Sequence, residues 1–299
     1  MSRRGWLLFA AMSVIWGLPY LFIRVAVEHV TPGTLVFLRT FGAAVVLLPL
    51  ALARRQIGPV IRRWRPLIAF AAIEVMIPWL LISDAERQLS SSLAGLLVAA
   101  VPLIGALVAR FSGQADRVTG RQLAGLLLGI AGVAALVGID FAGLDLFAFV
   151  EMAVASTCYA IGPIILTRSL ADLPGPGVIA ASLTITSVCF LPFVIAAPPR
   201  QLPASAVSSM VVLSLLCTAL AFVLFFQLIA AIGPTRSTVI TYLNPAVALA
   251  LGVLVLNEEI TLGMLVGFPL ILAGSILAAR KVRAVAEGRG ETLAPAPTA

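Results

Sequence analysis

Glu74 sits inside an apolar run that opens at Pro66. If the run is helical, this carboxylate lies roughly 12 Å from the start, at 1.5 Å per residue. A charge at that depth in hydrocarbon is costly and turns toward a partner or a wet cavity. Three chemistries are open to it. It could receive a substrate ammonium, carry a proton whose affinity is raised by burial, or serve as a neutral or Arg-paired structural acid. Glu151 lies near the outer end of a later apolar run, where exposure to interfacial water is the simpler role. Arg24 can snorkel to headgroups. Arg39 lies deeper, so either it pairs with an acid such as Glu151 or it attracts a carboxylate. Arg39 and Glu151 are therefore candidate outer-gate or structural charges.

Aromatic residues recur in the same runs. Trp and Tyr commonly mark membrane interfaces, which suits Trp6 and Trp64. Trp16, Trp79, Tyr159 and Tyr242 fall nearer mid-run, where that explanation fails. With Tyr20 and Phe222 they could build a polarizable cavity wall carrying indole and hydroxyl donors; helix packing is the competing role. Pro78, Pro102 and the Asn244-Pro245 pair each free a backbone carbonyl, which in a bilayer needs a neighbour, a water or a ligand. Ser91, Gln227 and Asn244 add hydrogen-bonding capacity, although Ser is often satisfied by its own helix.

Other chemistries lack their residues. His29 is the one histidine, and Cys158, Cys189 and Cys217 all lie in apolar runs as small packing residues. No zinc spacing, phosphate loop or nucleophile triad is present. The expectation is a non-enzyme with no metal and no cofactor. No obligatory protein partner is evident.

These residues need elements to hold them. The 299-residue chain is 61% hydrophobic and 11% charged, with a mean hydropathy of +1.10. So few charges cannot cover a water-soluble core of this composition. The fold class expected is an all-α polytopic membrane protein. Ten transmembrane helices are expected, near Gly5–Val27, Thr34–Ala53, Pro66–Ser83, Ser90–Arg110, Gln122–Gly138, Leu144–Thr167, Val178–Ala197, Val207–Ala231, Ser237–Leu256 and Leu262–Ala279. About 20 apolar residues cross the hydrocarbon. Alternate loops collect the arginines, from Arg3 and Arg4 to Arg280, Arg283 and Arg289. The intervening loops hold Glu28, Asp84, Glu86, Asp140, Asp145, Glu258 and Glu259. The positive-inside rule then places both termini in the cytoplasm. The net charge of +7 is spent on orientation and does not call for nucleic acid.

The second half repeats the first. Pro102, Asp116, Thr119, Gly125 and Gly132 recur as Pro245, Glu258, Thr261, Gly267 and Gly274, with an offset of 143 residues at the proline and 142 thereafter. Five spans per half is an odd number, so the halves enter from opposite faces as an inverted repeat. The expected division is 1–140 and 141–283, with a disordered tail at 284–299. Inverted repeats suit alternating access around a midplane site.

With Trp16-Gly17, Pro32, Phe37-Leu38-Arg39, Asn244-Pro245, Glu258-x-Ile260-Thr261 and Leu272-Ala273-Gly274 in this order, the chain resembles the EamA-type ten-helix members of the drug/metabolite transporter superfamily. Asp116 departs from the usual glutamate. The resemblance implies a cavity lined by spans 1, 3, 4, 6, 8 and 9, with spans 5 and 10 packed behind. Gly125-x-x-x-Gly129 and Gly263-x-x-x-Gly267 suit close packing of those two. The implied function is export of small metabolites, most readily amino acids (aromatic ones included), across a bacterial inner membrane. Driving force would come from protons through Glu74 or from downhill exchange. Cationic drugs or nucleoside-like metabolites are the alternative cargo; a passive channel or an intramembrane enzyme is the alternative class.

Overall fold

The computed structural model describes residues 2–111, 120–138, 145–199 and 202–291. Every regular element among them is helical. Among the described residues, nine helices are long and apolar enough to cross a membrane: Arg3–Val27, Pro32–Ala53, Trp64–Ala85, Ser91–Val108, Gly120–Val137, Leu146–Ser169, Gly175–Ala196, Ala204–Ile232 and Val239–Leu256. A further helix runs Leu262–Glu291, and its apolar part is Leu262–Ala278. They are called the first to the tenth helix below. The expected ends of the first nine agree within about three residues, because apolar runs stop abruptly at charged loops; the tenth helix runs on past its expected end at Ala279. Outward-facing side chains such as Leu254, 78% exposed, suit hydrocarbon as their solvent. Asp116, Thr119 and Asp140 lie outside the described residues.

Several helices are broken where the site residues sit. The first is two segments, Arg3–Ile15 and Leu18–Val27, with the bend at Trp16-Gly17 and Pro19 opening the second segment. Gly17 is required there: a Cβ would lie 2.5 Å from Val247 and 2.9 Å from the Asn244 carbonyl. The third helix widens to a π-helical turn over Ala72–Met76, which contains Glu74. The eighth widens over Val212–Leu220. Shifting Ala72–Met76 by the 143-residue repeat offset lands inside Val212–Leu220, so both wide turns occupy the same place in the repeat. Such insertions cluster at functional positions.

The ninth helix ends at Asn257 in the left-handed conformation, φ 55°. The Glu258 amide then returns to the Gly252 carbonyl at 3.1 Å. That turn carries the Glu258 carboxylate onto the start of the fourth helix.

The chain forms two compact units that cut across the sequence halves. One comprises Met1–Val98 and Ala142–Ile260, the other Ala99–Phe141 and Thr261–Ala299. In the first, the second helix packs on the seventh, the third on the sixth, and segment Ser91–Val98 on the ninth. In the second, the fifth and tenth helices pack along their length. Glycine makes that contact possible. A Cβ on Gly125 would lie 2.7 Å from the Ala278 amide, and one on Gly132 would lie 2.7 Å from the Ile271 amide. The antiparallel register therefore pairs Gly125 and Gly129 with Gly274, and Gly132 with Gly267.

Candidate functional site

Arg39 is 7% exposed, two turns into the second helix. Its guanidinium lies over the Trp79 ring, 3.6 Å from the centroid. Its Nε donates to the Thr218 hydroxyl at 3.0 Å. Thr218 in turn donates to the Leu213 carbonyl, five residues back, at 2.8 Å. The wide turn of the eighth helix thus orients the hydroxyl that receives Arg39. The ion pairs among the described residues are Arg24–Glu28, Arg63–Asp172 and Arg87–Asp84. Arg39 is in none of them. The expected pairing with Glu151 is therefore corrected: Glu151, 5% exposed, sits beside Asp84 instead. A desolvated cation–π contact contributes about 2 kcal/mol, whereas burying an ion costs several. Stacking and one hydroxyl leave Arg39 short of a counter-charge.

Trp79 and Pro78 are buried on the third helix just past its wide turn. The Trp79 indole hydrogen-bonds the Tyr159 hydroxyl, which lies within electrostatic reach of both Arg39 and Glu74. Glu74 projects from the wide turn against Gly162 of the sixth helix, where a Cβ would collide with its carboxylate. Its Oε2 is buried with no hydrogen-bond partner among the described residues. Tyr20 is buried on the first helix within electrostatic reach of Tyr159, Arg39 and Glu86. Five predicted residues thus converge: Tyr20, Arg39, Glu74, Trp79 and Tyr159.

Trp16, at the bend of the first helix, packs edge-on against Phe222 with ring centroids 5.9 Å apart, and against Phe225 at 4.7 Å. Phe222 and Tyr159 both pack on the hydrophobic cluster that contains Trp79. Phe222 also lines a cavity of about 320 Å³, whose wall includes Leu47, Arg54, Gln56, Phe226 and Gln227. That volume is at the lower end for small-molecule sites. Gln227 accepts from Arg4 at 3.0 Å, and Gln56 Oε1 is buried without a partner among the described residues.

Other predicted residues lie elsewhere. Ser91 and Ser92 open the fourth helix, and their amides donate to Glu258 Oε1 and Oε2 at 2.7 and 2.9 Å. Tyr242 and Asn244 flank the junction between a 3₁₀ segment, Thr238–Tyr242, and the helix Asn244–Leu256. Pro102 opens the segment Val101–Phe111 in the other compact unit. Sequence reasoning misses Thr218, Arg54, Gln56 and Glu86 as site residues. Arg54 is detectable as the first base after an apolar run. Thr218 carries no signal of its own, since a threonine in an apolar helix usually bonds its own backbone.

The profile of the EamA-like transporter family matches residues 3–138 and again 146–280. The chain belongs to the EamA-like transporter family. It is similar to an uncharacterized transporter of Archaeoglobus fulgidus, 24% identical over 289 residues, covering 94% of this chain and 99% of that one. A "probable amino-acid metabolite efflux pump" of Salmonella typhimurium is 25% identical over 295 residues, covering 92% and 94%. A "probable terminal-alkyne amino-acid exporter" of Streptantibioticus cattleyicolor is 29% identical over 295 residues, covering 94% and 95%. One solved crystal structure shares the fold, with a TM-score of 0.66 at 20% identity over 95% of this chain and 99% of its own. Family and relatives are transporters, and the chain is a multi-pass membrane protein.

Proposed function

We propose that this transporter is an inner-membrane exporter of amino acids. Ten spans form two inverted five-helix repeats, with both termini cytoplasmic, and alternate access to a shared site. The observation that carries the substrate class is the pair of unsatisfied charges around Tyr159. Among the described residues, Arg39 has no acid within 4 Å, and Glu74 has an unpartnered oxygen. A zwitterion complements both. Its carboxylate meets the Arg39 fork, its ammonium meets Glu74, and Trp79, Tyr159 and Tyr20 hold the rest by area. Aromatic walls tolerate varied side chains, which fits a broad substrate range. The cavity at Arg54, Gln56 and Gln227 lies at the arginine-rich ends of the helices. It serves as the cytoplasmic vestibule, with Phe222 at its inner end.

The names of the Salmonella and Streptantibioticus relatives support amino acids, and that of an Escherichia coli relative, 27% identical over 252 residues, supports the inner membrane. The test is counterflow in proteoliposomes, screening the twenty amino acids and a set of cationic dyes. Accumulation of a labelled amino acid against an unlabelled internal pool is expected. Exchange of the dyes alone would overturn the substrate class. Rapid flux with no counterflow would mean a channel.

A further inference from the structure

Glu86 follows the third helix and is 0% exposed. Both carboxylate oxygens are buried and without any hydrogen-bond partner among the described residues. The cations that could hold its charge are engaged elsewhere. From the first helix, Arg24 donates to the Glu86 main-chain carbonyl at 2.8 Å rather than to its side chain, and reaches Glu28 at 3.9 Å. Tyr20, on the same helix, lies within electrostatic reach. From the second helix, Arg39 is stacked on Trp79. Just past the end of the third helix, Arg87 turns back to pair with Asp84 at 2.9 Å. The sixth helix brings Glu151 to Asp84 and Arg87. From beyond the ninth helix comes a second negative charge, Glu258, already bound to the Ser91 and Ser92 amides.

An ionised carboxylate in this setting has no counter-ion within 4 Å and no side-chain donor; the Arg24 main chain offers it partial support, and carrying the charge there is still costlier than carrying a neutral acid. Burial, and then the charge of Glu258, push the Glu86 carboxyl well above the usual carboxylate range; Arg24 and Arg39 oppose the shift without cancelling it.

We propose that Glu86 is a proton-operated latch on the outer end of the transporter: its carboxyl holds a proton while that end is closed and releases it to external water when that end opens. This rests on the alternating-access reading and on the cytoplasmic placement of the Arg54 cavity. Closing takes one proton from outside onto the carboxylate and opening returns it; no other bond changes. Acid outside therefore favours the closed form. By linkage, each pH unit below the closed-state pKa and above the open-state one shifts the equilibrium tenfold toward closure.

Two measurements test the latch. The first is the infrared carboxyl stretch of purified wild type against Glu86→Gln at neutral pH. A protonated-acid band is expected in the wild type and missing in the variant; no difference at that band overturns the proposal. Because this measurement uses no substrate, it stands apart from the amino-acid reading. The second is hydrogen–deuterium exchange of the 77–98 segment in liposomes, corrected for intrinsic rates, across acid to alkaline pH. Protection should fall with rising pH in the wild type and stay high throughout in Glu86→Gln, since glutamine mimics the neutral acid. A pH response equal in both proteins, or a segment opened by glutamine, would show that Glu86 is no latch. Loss of amino-acid counterflow with both latch signatures intact would strike the substrate class alone.

Discussion

The guanidinium of Arg39 and the indole of Trp79 are stacked 3.6 Å apart across the second and third helices. The cation is confined to one plane and still lacks an anion. Arg39→Lys is therefore not conservative: it keeps the charge but loses the planar fork. An affinity loss of about tenfold or more, equivalent to about 1.4 kcal/mol, is expected in counterflow titrations. Arg39→Gln is expected to abolish transport in a protein that still folds. Unchanged affinity in Arg39→Lys would remove Arg39 from the site.

Glu74→Gln addresses the other charge. If the substrate ammonium meets Glu74, the variant loses affinity for amino acids, about tenfold or more at 1.4 kcal/mol per decade. It should bind the matching α-hydroxy acids no worse than the wild type does. Equal loss for both ligand classes would make Glu74 a structural acid.

Glu258 holds two amides at the start of the fourth helix. Glutamine offers one acceptor oxygen and no charge, so Glu258→Gln should cost about 1–3 kcal/mol. That is measurable as a lower melting temperature in detergent. A melting temperature equal to wild type would mean that the cap contributes nothing.

Gly132 has no room for a side chain against the tenth helix. Gly132→Leu should destabilise the second unit by about 1–3 kcal/mol or more, as overpacking does. Gly58 has nothing within 4 Å of the place a Cβ would occupy, and should accept alanine without loss. Thermal unfolding of the two variants side by side checks the contrast.

Stability should also carry the signature of Glu86. Its folded-state proton affinity is raised, so the native state binds more protons than the unfolded chain. Stability from this group is complete below the ordinary carboxylate value of 4.5. It declines as pH rises from there toward the folded-state value. Glu86→Gln should flatten that decline. Parallel pH profiles of melting temperature would contradict it.

The helices are legible in the sequence because lipid removes every alternative for the backbone, and runs such as Ser91–Val108 end at charge. Arg39, Glu74, Trp79 and Tyr159 are legible as residues whose depth defies an interfacial role. Their grouping is not, since it depends on which helix faces which. Arg39 shows the limit: the sequence offers Glu151 as a partner, and packing supplies Trp79 and Thr218. Glu86 reads as one loop acid among several, because a short loop gives no sign that its carboxylate folds inward. Glycine spacing announces a close helix pair, but the register of Gly132 on Gly267 comes from the antiparallel crossing.

The wide turns over Ala72–Met76 and Val212–Leu220 have a mechanical consequence. Each stores one surplus residue in an otherwise ordinary helix. Winding the same residues as ordinary α-helix would rotate everything downstream by about 100°, one residue's share of a 3.6-residue turn. In the third helix that rotation would swing Trp79 off Arg39 while every apolar residue stayed in lipid. The wide turn thus sets the angular phase on which charge recognition depends, and a change that let it tighten without losing a residue would leave a protein that inserts normally yet grips nothing.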